Sequence, residues 1–285
     1  MELTNMAVIK PLLSKNGIVL TKARGQNFII NPSVCPRMAD ECGAGENDGV
    51  LEIGPGIGVL TAELAKRAGK VVSVELDSGL VPILSETLAE FDNVKIIEGD
   101  ALKLNLAEII KTEFGGKRVF VCANLPYNIS TNLVMTLLES NLGFESMTVM
   151  VQKEFAERIT APVGSRKSGA ITVGAAFLAK SEILFGVSAG SFFPAPKVDS
   201  TVMKLTPYKT PPVEVKNRDL FMKTVNAGFC QRRKTLQNSL SAVLAVKKSA
   251  VAEILESMGK SPLARIEELD LAELALLSDR LCEVL

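Results

Sequence analysis

Short apolar runs alternate with helix-like patterns over the first two thirds of the chain. Runs rich in Val, Ile, Leu, Phe and Ala, of the length of buried strands, occur at residues 50–53, 71–74, 94–97 and 119–123. Between the first two, apolar residues recur at helical spacing from Val59 to Ala68. Strands that alternate with helices form parallel sheets. The pattern therefore predicts an α/β fold with a doubly wound, Rossmann-like sheet.

The pattern is less regular at the start and in the middle of the chain. Residues up to about 27 are basic and predicted to form an irregular arm, and residues 35–42 a short helix. Two prolines in the segment 192–196 predict a stiff loop that cannot pair with a strand. Further strands are predicted, with the last two at the sheet edge, at residues 148–151, 170–177, 185–188 and 202–205.

A proline-rich segment at residues 206–212 marks the predicted domain boundary. We predict one domain over residues 1–207 and a small all-helical domain over residues 208–285. In the second domain, apolar residues recur at spacings of three, four and eight, as on one face of a helix. These are Phe221, Val225 and Phe229, then Leu240, Val243 and Leu244, with further helical patterns at residues 249–258 and 271–281.

Polar residues and glycines close the successive predicted strands. The turn Gly54-Pro55-Gly56-Ile57-Gly58 follows the first apolar run, and Glu75, Asp100 and Asn124 follow the next three. The carboxyl ends of parallel strands meet at one edge, where open α/β sheets bind ligands. An acid about 20 residues past the glycines is the usual partner of ribose hydroxyl groups. The alternative is a sheet whose polar strand ends are merely solvated.

The order of these residues favours S-adenosylmethionine over a nicotinamide dinucleotide. The glycine spacing is G-x-G-x-G, whereas dinucleotide sites carry G-x-G-x-x-G for the pyrophosphate. Asp100 is suited to accept the exocyclic amine of an adenine ring. The sequence therefore predicts an adenosine-containing cofactor at this edge.

The tetrad Asn124-Leu125-Pro126-Tyr127 follows the fourth run. It offers an amide oxygen, a proline-stiffened backbone with free carbonyl groups, and a flat aromatic ring. The oxygens can accept N–H bonds from the amine of a planar base, and the ring can stack on its face. The alternative is an ordinary turn that closes a strand.

With these motifs the chain resembles the KsgA-type (RsmA) small-subunit ribosomal RNA adenine N6,N6-dimethyltransferases, whose close relatives are the Erm methyltransferases. The matching segments occur in family order from about Thr21 to the C-terminus. They are Gly25-Gln26-Asn27-Phe28, Glu52-Ile53-Gly54-Pro55-Gly56, Asn124-Leu125-Pro126-Tyr127-Asn128-Ile129-Ser130, Val151-Gln152-Lys153-Glu154, Phe193-Pro194-Ala195-Pro196-Lys197-Val198-Asp199-Ser200 and Gln231-Arg232-Arg233-Lys234-Thr235-Leu236.

The resemblance implies a class I methyltransferase that dimethylates N6 of two adjacent adenosines near the 3′ end of the small-subunit (16S) RNA. It implies S-adenosylmethionine as cofactor and the small ribosomal subunit as partner. It also implies two sets of site residues. Cofactor contacts are expected at Asn27, Ile29, Gly54, Gly56, Glu75, Asp100, Ala101 and Asn124. Catalytic roles are expected for Asn124, Leu125, Pro126, Tyr127 and Phe192, with the rings of Tyr127 and Phe192 sandwiching a flipped adenine.

Two positions depart from the family pattern. Ser168 stands where the family usually has an aromatic residue, and near Ala176 only Phe177 supplies a ring. Both departures concern packing on the target-base side rather than the cofactor site.

Composition narrows the possible chemistry. The absence of histidine excludes Ser-His-Asp hydrolases, histidine-based acid–base enzymes and most zinc enzymes, and we expect no metal. Methyl transfer to an amine needs none of these, because the sulfonium leaves as a neutral thioether.

The charge balance is unusual for an RNA-binding protein, since 32 basic and 32 acidic residues cancel. The basic residues are grouped, however, and we predict that the groups contact RNA phosphates; the alternative is a set of solvated faces. The predicted groups are Lys10, Lys15, Lys22 and Arg24 in the arm, Arg166 and Lys167 in a loop, Arg232, Arg233 and Lys234, and Lys247 with Lys248.

Five scattered cysteines, Cys35, Cys42, Cys122, Cys230 and Cys282, form no close pair. We expect free thiols and a reducing compartment. The N-terminus lacks the pattern of a signal peptide, and no apolar segment is long enough for a bilayer. We therefore expect a cytoplasmic protein without membrane contact, and a monomer because the substrate is a large particle.

Two alternatives of different classes remain. An Erm-type methyltransferase of large-subunit RNA would share the catalytic residues, although the segment from Gln231 to Leu236 and the neutral charge argue against it. A non-catalytic RNA-binding assembly factor would keep the fold, but the intact strand ends argue against lost activity.

Overall fold

The computed structural model describes residues 1–18 and 27–285. Lys22, Arg24 and the pair Gly25-Gln26 of the first motif lie outside the described residues. The chain forms two compact units, residues 1–156 with 182–207 and residues 157–181 with 208–285. The predicted boundary after residue 207 coincides with a junction of the units, whereas residues 157–181, predicted in the first domain, group with the second.

Strands and helices alternate up to residue 207. The strands are β1 (Phe28–Ile29), β2 (Gly49–Ile53), β3 (Lys70–Glu75), β4 (Val94–Glu98), β5 (Val119–Asn124), β6 (Met147–Gln152), β7 (Ala179–Val187), β8 (Phe192–Phe193) and β9 (Ser200–Pro207). The helices up to β7 are α1 (Met6–Lys15), α2 (Val34–Cys42), α3 (Val59–Ala65), α4 (Val81–Thr87), α5 (Leu106–Phe114), α6 (Ser130–Glu139), α7 (Lys153–Ile159) and α8 (Ala170–Leu178). The remaining helices are α9 (Arg218–Cys230), α10 (Leu236–Leu244), α11 (Lys248–Ser257) and α12 (Leu271–Leu281).

Seven strands form one sheet in the order β4-β3-β2-β5-β6-β9-β7. Strands β2 to β6 are parallel, and β9 pairs antiparallel with β6. The predicted Rossmann-like α/β fold is therefore confirmed, and the carboxyl ends of β4, β3, β2 and β5 lie side by side. The two strands predicted to supply the edge, at residues 185–188 and 202–205, correspond to β7 and β9, which are the last two strands on one side of the sheet; β7 is the edge strand and β9 lies next to it.

The central strands are buried on both faces. Val50 and Leu51 in β2, Val71 and Val72 in β3 and Val121 in β5 have no exposed surface. Strands that are covered by helices on both faces are apolar at nearly every position rather than at alternate positions. This explains the continuous apolar runs that predicted them.

The prediction of a strand at residues 170–177 is wrong, because these residues form helix α8. The Gly169 N–H donates to Thr172 Oγ1 (2.9 Å) at the start of the helix. Val173 and Phe177, four residues apart, are buried in the core of the second unit, and the ring centroids of Phe177 and Phe221 lie 4.8 Å apart. The run is apolar almost throughout, so its periodicity does not separate a strand from a helix.

Two further predictions for the first unit are wrong. The arm contains helix α1, which begins at the cap residue Asn5 and buries Ile9, Leu12 and Leu13. The segment 192–196 was predicted to be unable to pair with a strand, but its first two residues, Phe192 and Phe193, pair antiparallel with β1. The prolines start only at residue 194, so both phenylalanine N–H groups remain available.

The second unit is helical, as predicted. Phe221 and Val225 on α9 are buried in its core, and Phe229 packs against it. Helix α10 contributes Leu240, whereas Val243, predicted on the same apolar face, is 52% exposed. Gly228 on α9 has Ile266 Cδ1 only 2.5 Å from the position of an added Cβ, so this helix packs closely through a glycine.

A glycine before β3 should be indispensable for stability. A Cβ on Gly69 would lie 2.0 Å from the Glu46 carbonyl oxygen, which is backbone and cannot turn aside. We expect Gly69→Ala to lower the free energy of unfolding by about 1–3 kcal/mol in urea titrations. Gly186→Ala is the control, because an added Cβ there meets nothing within 4 Å. Equal stabilities of the two variants would contradict the prediction.

Candidate functional site

A cleft with about 770 Å³ of open space lies at the carboxyl ends of β2, β3 and β5. It brings together most of the residues predicted to act on the cofactor and the target base. These are Asn27, Ile29, Gly54, Gly56, Glu75, Asn124, Leu125, Pro126 and Tyr127. All of them belong to the first compact unit, so the cleft is complete within that unit.

The glycine turn forms the floor of the cleft. Gly54, Gly56 and Gly58 have φ values of 71°, 63° and 89°, a region that residues with a Cβ avoid. The turn leads directly into α3, and its exposed backbone lets a ligand approach closely. The spacing G-x-G-x-G is therefore a consequence of the backbone conformation that this turn needs.

Glu75 at the end of β3 is tied to the glycine turn. Its two carboxylate oxygens accept N–H bonds from Gly56 (3.1 Å) and from Asp77 (2.8 Å). Burial raises the pKa of the Glu75 carboxyl, and these two N–H bonds oppose that rise. Each oxygen keeps a second lone pair, which is the arrangement that ribose hydroxyl groups require.

Glu52 is a second carboxyl group in the cleft, and sequence analysis assigned it no role. It lies in β2, is 1% exposed, and its Oε2 accepts bonds from Thr61 Oγ1 (2.7 Å) and Ser73 Oγ (2.6 Å). Burial is the main cause that raises its pKa to about 7, and the nearby Glu75 charge adds to the rise. An acid inside the otherwise apolar run 50–53 was the signal in the sequence that pointed to it.

The tetrad after β5 is held by backbone bonds on one side and open on the other. The Leu125 N–H donates to the Met150 carbonyl (3.1 Å), and the Pro126 carbonyl accepts N–H bonds from Ile129 and Ser130 at the start of α6. The Pro126 carbonyl, which was predicted to be free, is therefore already hydrogen bonded. The Leu125 carbonyl accepts no bond from any other residue that the structure describes.

Tyr127 is fixed by its hydroxyl group. Its oxygen lies 2.6 Å from Ser200 Oγ, at the start of β9, and burial raises the pKa of the Tyr127 hydroxyl. The hydrogen bond anchors one end of the ring, and Tyr127 is among the residues that line the cleft. Ser200 is the last residue of the motif from Phe193 to Ser200, and the sequence alone indicated no role for it.

Three predicted site residues do not line the cleft. Asp100 and Ala101 follow β4 at the same sheet edge, and the Asp100 carboxylate accepts the Leu102 N–H (3.0 Å) and faces Lys103 Nζ (3.4 Å). Phe192 is 2% exposed and belongs to the core beside β1. Stacking of Phe192 on a base remains a prediction.

The predicted phosphate contacts Arg166, Lys167, Arg232, Arg233 and Lys234 all lie in the second unit. Arg232 is engaged: its Nε lies 2.6 Å from Glu267 Oε2, and its guanidinium also donates to the Arg166 carbonyl. Arg166, Lys167, Arg233 and Lys234 are exposed. The structure thus joins the Arg166 loop to the Arg232 segment.

Neither a metal site nor a membrane span is found among residues 1–18 and 27–285. No group of three or more Cys, Asp or Glu side chains is arranged to hold a metal ion there. Likewise, no helix in these ranges is both long and apolar enough to cross a bilayer.

Comparisons with known proteins agree along nearly the whole chain. The sequence profile of the family Ribosomal RNA adenine dimethylase matches residues 20–275. The Ribosomal RNA small subunit methyltransferase A of Shouchella clausii (strain KSM-K16) is 43% identical over 287 residues, which cover 100% of this chain and 97% of the relative. The protein of the same name from Geobacillus thermodenitrificans (strain NG80-2) is 42% identical, covering 95% and 94%.

Two solved structures share the fold. A dimethyladenosine transferase from Plasmodium falciparum has a TM-score of 0.71 at 28% identity and covers 87% of this chain and 95% of its own. The 23S rRNA methyltransferase ErmE has a TM-score of 0.68 at 28% identity and covers 90% and 100%.

The buried Glu52 carboxyl should give stability a characteristic pH dependence. Its folded-state pKa of about 7 lies above the ordinary 4.5, so between these values the folded state binds more protons than the unfolded state. The free energy of unfolding should therefore fall as pH rises through this window, by about 2–4 kcal/mol from this group. Glu52→Gln should remove that fall in urea titrations without cofactor. Glu90→Gln, at an exposed acid, should keep it. An unchanged pH profile in Glu52→Gln would contradict the assignment.

Proposed function

The chain belongs to the ribosomal RNA adenine dimethylase family, and from that premise we propose its substrate, methyl donor and site residues. It is a dimethyltransferase of small-subunit ribosomal RNA adenosines, in agreement with the family's description as a ribosomal RNA adenine dimethylase and with relatives named Ribosomal RNA small subunit methyltransferase A. We propose that it modifies N6 of two adjacent adenosines near the 3′ end of the 16S RNA, with S-adenosylmethionine as donor. We also propose that it acts as a cytoplasmic monomer.

The observation that carries this proposal is the convergence of the tetrad with the glycine turn and Glu75 on one cleft. The two parts of the cleft suit different molecules. The glycine turn and Glu75 suit a nucleoside with free ribose hydroxyl groups, and the tetrad suits a planar base with an exocyclic amine. A donor and an acceptor of these kinds would meet between Glu75 and Asn124.

The charge of the cleft fits a cationic donor. Two carboxyl groups, Glu52 and Glu75, line it, and no basic side chain is among its described lining residues. A pyrophosphate would be repelled by these acids, whereas a sulfonium and an ammonium group would favour their ionised forms. When bound, S-adenosylmethionine supplies an electrophilic methyl group whose sulfur leaves as a neutral thioether.

The tetrad would orient the target amine. The Asn124 side chain and the unoccupied Leu125 carbonyl can accept the two N–H bonds of an adenine amine, which directs its lone pair towards the methyl group. Neither group needs to be protonated or charged, so a chain without histidine can perform the reaction. Alignment of the amine with the donor carries most of the rate enhancement in such a displacement.

The target adenosine must leave any base stack to reach this cleft, because a base inside a duplex cannot present its amine to a sheet edge. The Tyr127 ring, anchored through Ser200, would stack on the extruded base. We propose Asp100 and Ala101 as contacts to the donor's adenine, and Phe192 as the second stacking ring. Residues 1–207 would carry the chemistry and residues 208–285 would bind RNA.

A direct test is methyl transfer to isolated ribosomal subunits. We expect transfer from labelled S-adenosylmethionine to small subunits lacking the modification, with two adjacent dimethyladenosines found by mass spectrometry of the RNA. Labelling of large subunits alone would favour the Erm-type alternative. Calorimetric donor binding without transfer to either subunit would favour a non-catalytic assembly factor.

The tetrad amide should act mainly on turnover. We expect Asn124→Ala to lower kcat for small subunits by about 10²–10³-fold, because the amine lone pair is no longer directed. Small-subunit affinity, measured by filter binding, should stay within about twofold of the wild type. Asn132→Ala on α6, which is exposed and outside the cleft, is the matched control. A parallel loss of subunit affinity would assign Asn124 a structural role.

The basic residues of the second unit should divide into two classes. Arg233 and Lys234 are exposed, so Arg233→Ala with Lys234→Ala should reduce the salt slope of subunit binding by about one unit per lost phosphate contact. Arg232→Ala should lower stability instead, because Arg232 pairs with Glu267. Lys209→Ala with Lys223→Ala, two exposed lysines of the same unit, is the control. An unaltered slope in the first double variant would exclude this segment from RNA binding.

A further inference from the structure

A polar depression with about 590 Å³ of open space lies in the first unit, separate from the cleft. The residues that line it carry hydroxyl groups, an amide and one guanidinium. We call it the Arg37 pocket and define it by Asn31, Ser33, Arg37, Phe185, Ser188 and Ser191. Among the described residues that line it, none is acidic.

Arg37 is held in place without an acid. Its guanidinium carbon lies 3.9 Å from the centroid of the Phe185 ring, in cation–π contact. The acid nearest along α2, Asp40, is engaged by Arg67, whose Nε lies 2.7 Å from its Oδ1. No ion pair to Arg37 is found within the described part of the chain. A cation that is positioned by a ring and lacks a counter-ion is ready for an anion.

The hydroxyl and amide groups beside it are ordered by one another. The Asn31 amide donates to Ser191 Oγ (3.2 Å) and accepts a bond from Ser33 Oγ (2.8 Å). The Ser188 and Ser191 oxygens are 3.4 Å apart, and the Ser191 carbonyl accepts the Ile30 N–H (2.8 Å). These bonds use the Ser33 hydroxyl hydrogen and one amide hydrogen of Asn31. They leave the second Asn31 N–H and one hydroxyl hydrogen of the Ser188–Ser191 pair as positioned donors, which lowers the entropic cost of binding a ligand there.

The position of the Arg37 pocket links it to the cleft. Asn31 lies two residues past β1, and Ser191 directly precedes β8, the strand that pairs with β1. Phe28 and Ile29 of β1 line the cleft. The two-stranded ribbon therefore has the cleft and the Arg37 pocket as neighbours. A second cation, Lys10, lies 5.7 Å from the ring centroid of Phe193 on the same ribbon.

We propose that the Arg37 pocket binds a phosphodiester group of the RNA strand that carries the target adenosine. This inference rests on the proposed function, because it assigns a site to the same substrate. A guanidinium fork matches two phosphate oxygens, and hydroxyl and amide donors complete the usual set of phosphate ligands. The contact would fix the path of the strand beside the base rather than read its sequence.

The test compares Arg37→Gln, Arg37→Lys and the control Lys111→Gln, which removes one exposed positive charge of the same unit. Binding to small subunits is measured between about 50 and 200 mM salt. For Arg37→Gln we expect the salt slope to fall by about one unit and KM for subunits to rise roughly three- to tenfold, with calorimetric affinity for S-adenosylmethionine unchanged. Arg37→Lys should lie between, because lysine keeps the charge but loses the fork and the stacking.

The outcomes separate this inference from the proposed function. Suppose that the wild type methylates small subunits, and that Arg37→Gln shows the same salt slope and the same KM for subunits as Lys111→Gln. The inference is then overturned, while the proposed function stands. If the wild type methylates no subunit, the proposed function itself fails. Thermal unfolding of each variant checks that it is folded. If Arg37→Gln does not fold, the comparison of Arg37→Lys with the wild type still tests the inference.

Two further arms identify the source of the anion. Titration of the protein with inorganic phosphate at constant ionic strength should show no saturation in the low millimolar range, since a single phosphate lacks the rest of the strand. Saturable phosphate binding, together with an unchanged salt slope of RNA binding in Arg37→Gln, would assign the pocket to a free anion and overturn the proposal. A loss by Arg37→Gln on intact subunits but not on protein-free small-subunit RNA would indicate a ribosomal protein and overturn the proposal.

Discussion

The buried carboxyl group of Glu52 is the interaction on which the cleft depends. A carboxyl group in the core is costly unless its oxygens are hydrogen bonded. Ser73, opposite Glu52 in the β2–β3 pairing, and Thr61 on α3 donate to the same oxygen. These bonds join three elements around the glycine turn, whose Gly56 N–H continues the network to Glu75. The cleft floor is therefore held by one hydrogen-bond network that runs from Glu52 through the glycine turn to Glu75.

Groups that hold the tetrad are distinct from groups that are left for the substrate. The Leu125 N–H, the Pro126 carbonyl and the Tyr127 hydroxyl are all engaged, by β6, α6 and β9 respectively. Asn124 and Leu125 both line the cleft, and the Leu125 carbonyl accepts no bond from any other residue that the structure describes. Because the holding bonds come from three separate elements, they would preorganise the tetrad for the base that we propose it binds.

The central strands and the strand-end residues were predictable, because strands buried on both faces give apolar runs that end in polar residues at the ligand edge. Two elements were not. Residues 170–177 are apolar almost throughout, and packing against the helical core around Phe221 accompanies their folding as α8. The ribbon of Phe192 and Phe193 exists because β1 is available as a partner more than 160 residues earlier in the chain.

The sequence alone determined the α/β class, the glycine turn, Glu75 and the tetrad, since each follows from local periodicity or from residues adjacent in the chain. Tertiary structure decided which polar groups remain open. It engages Arg232 with Glu267, buries Phe192 in the core, anchors Tyr127 to Ser200 and leaves Arg37 on the Phe185 ring without an acid. These outcomes depend on partners distant in sequence, and a hydrogen bond or ion pair between such partners is set by packing rather than by spacing along the chain.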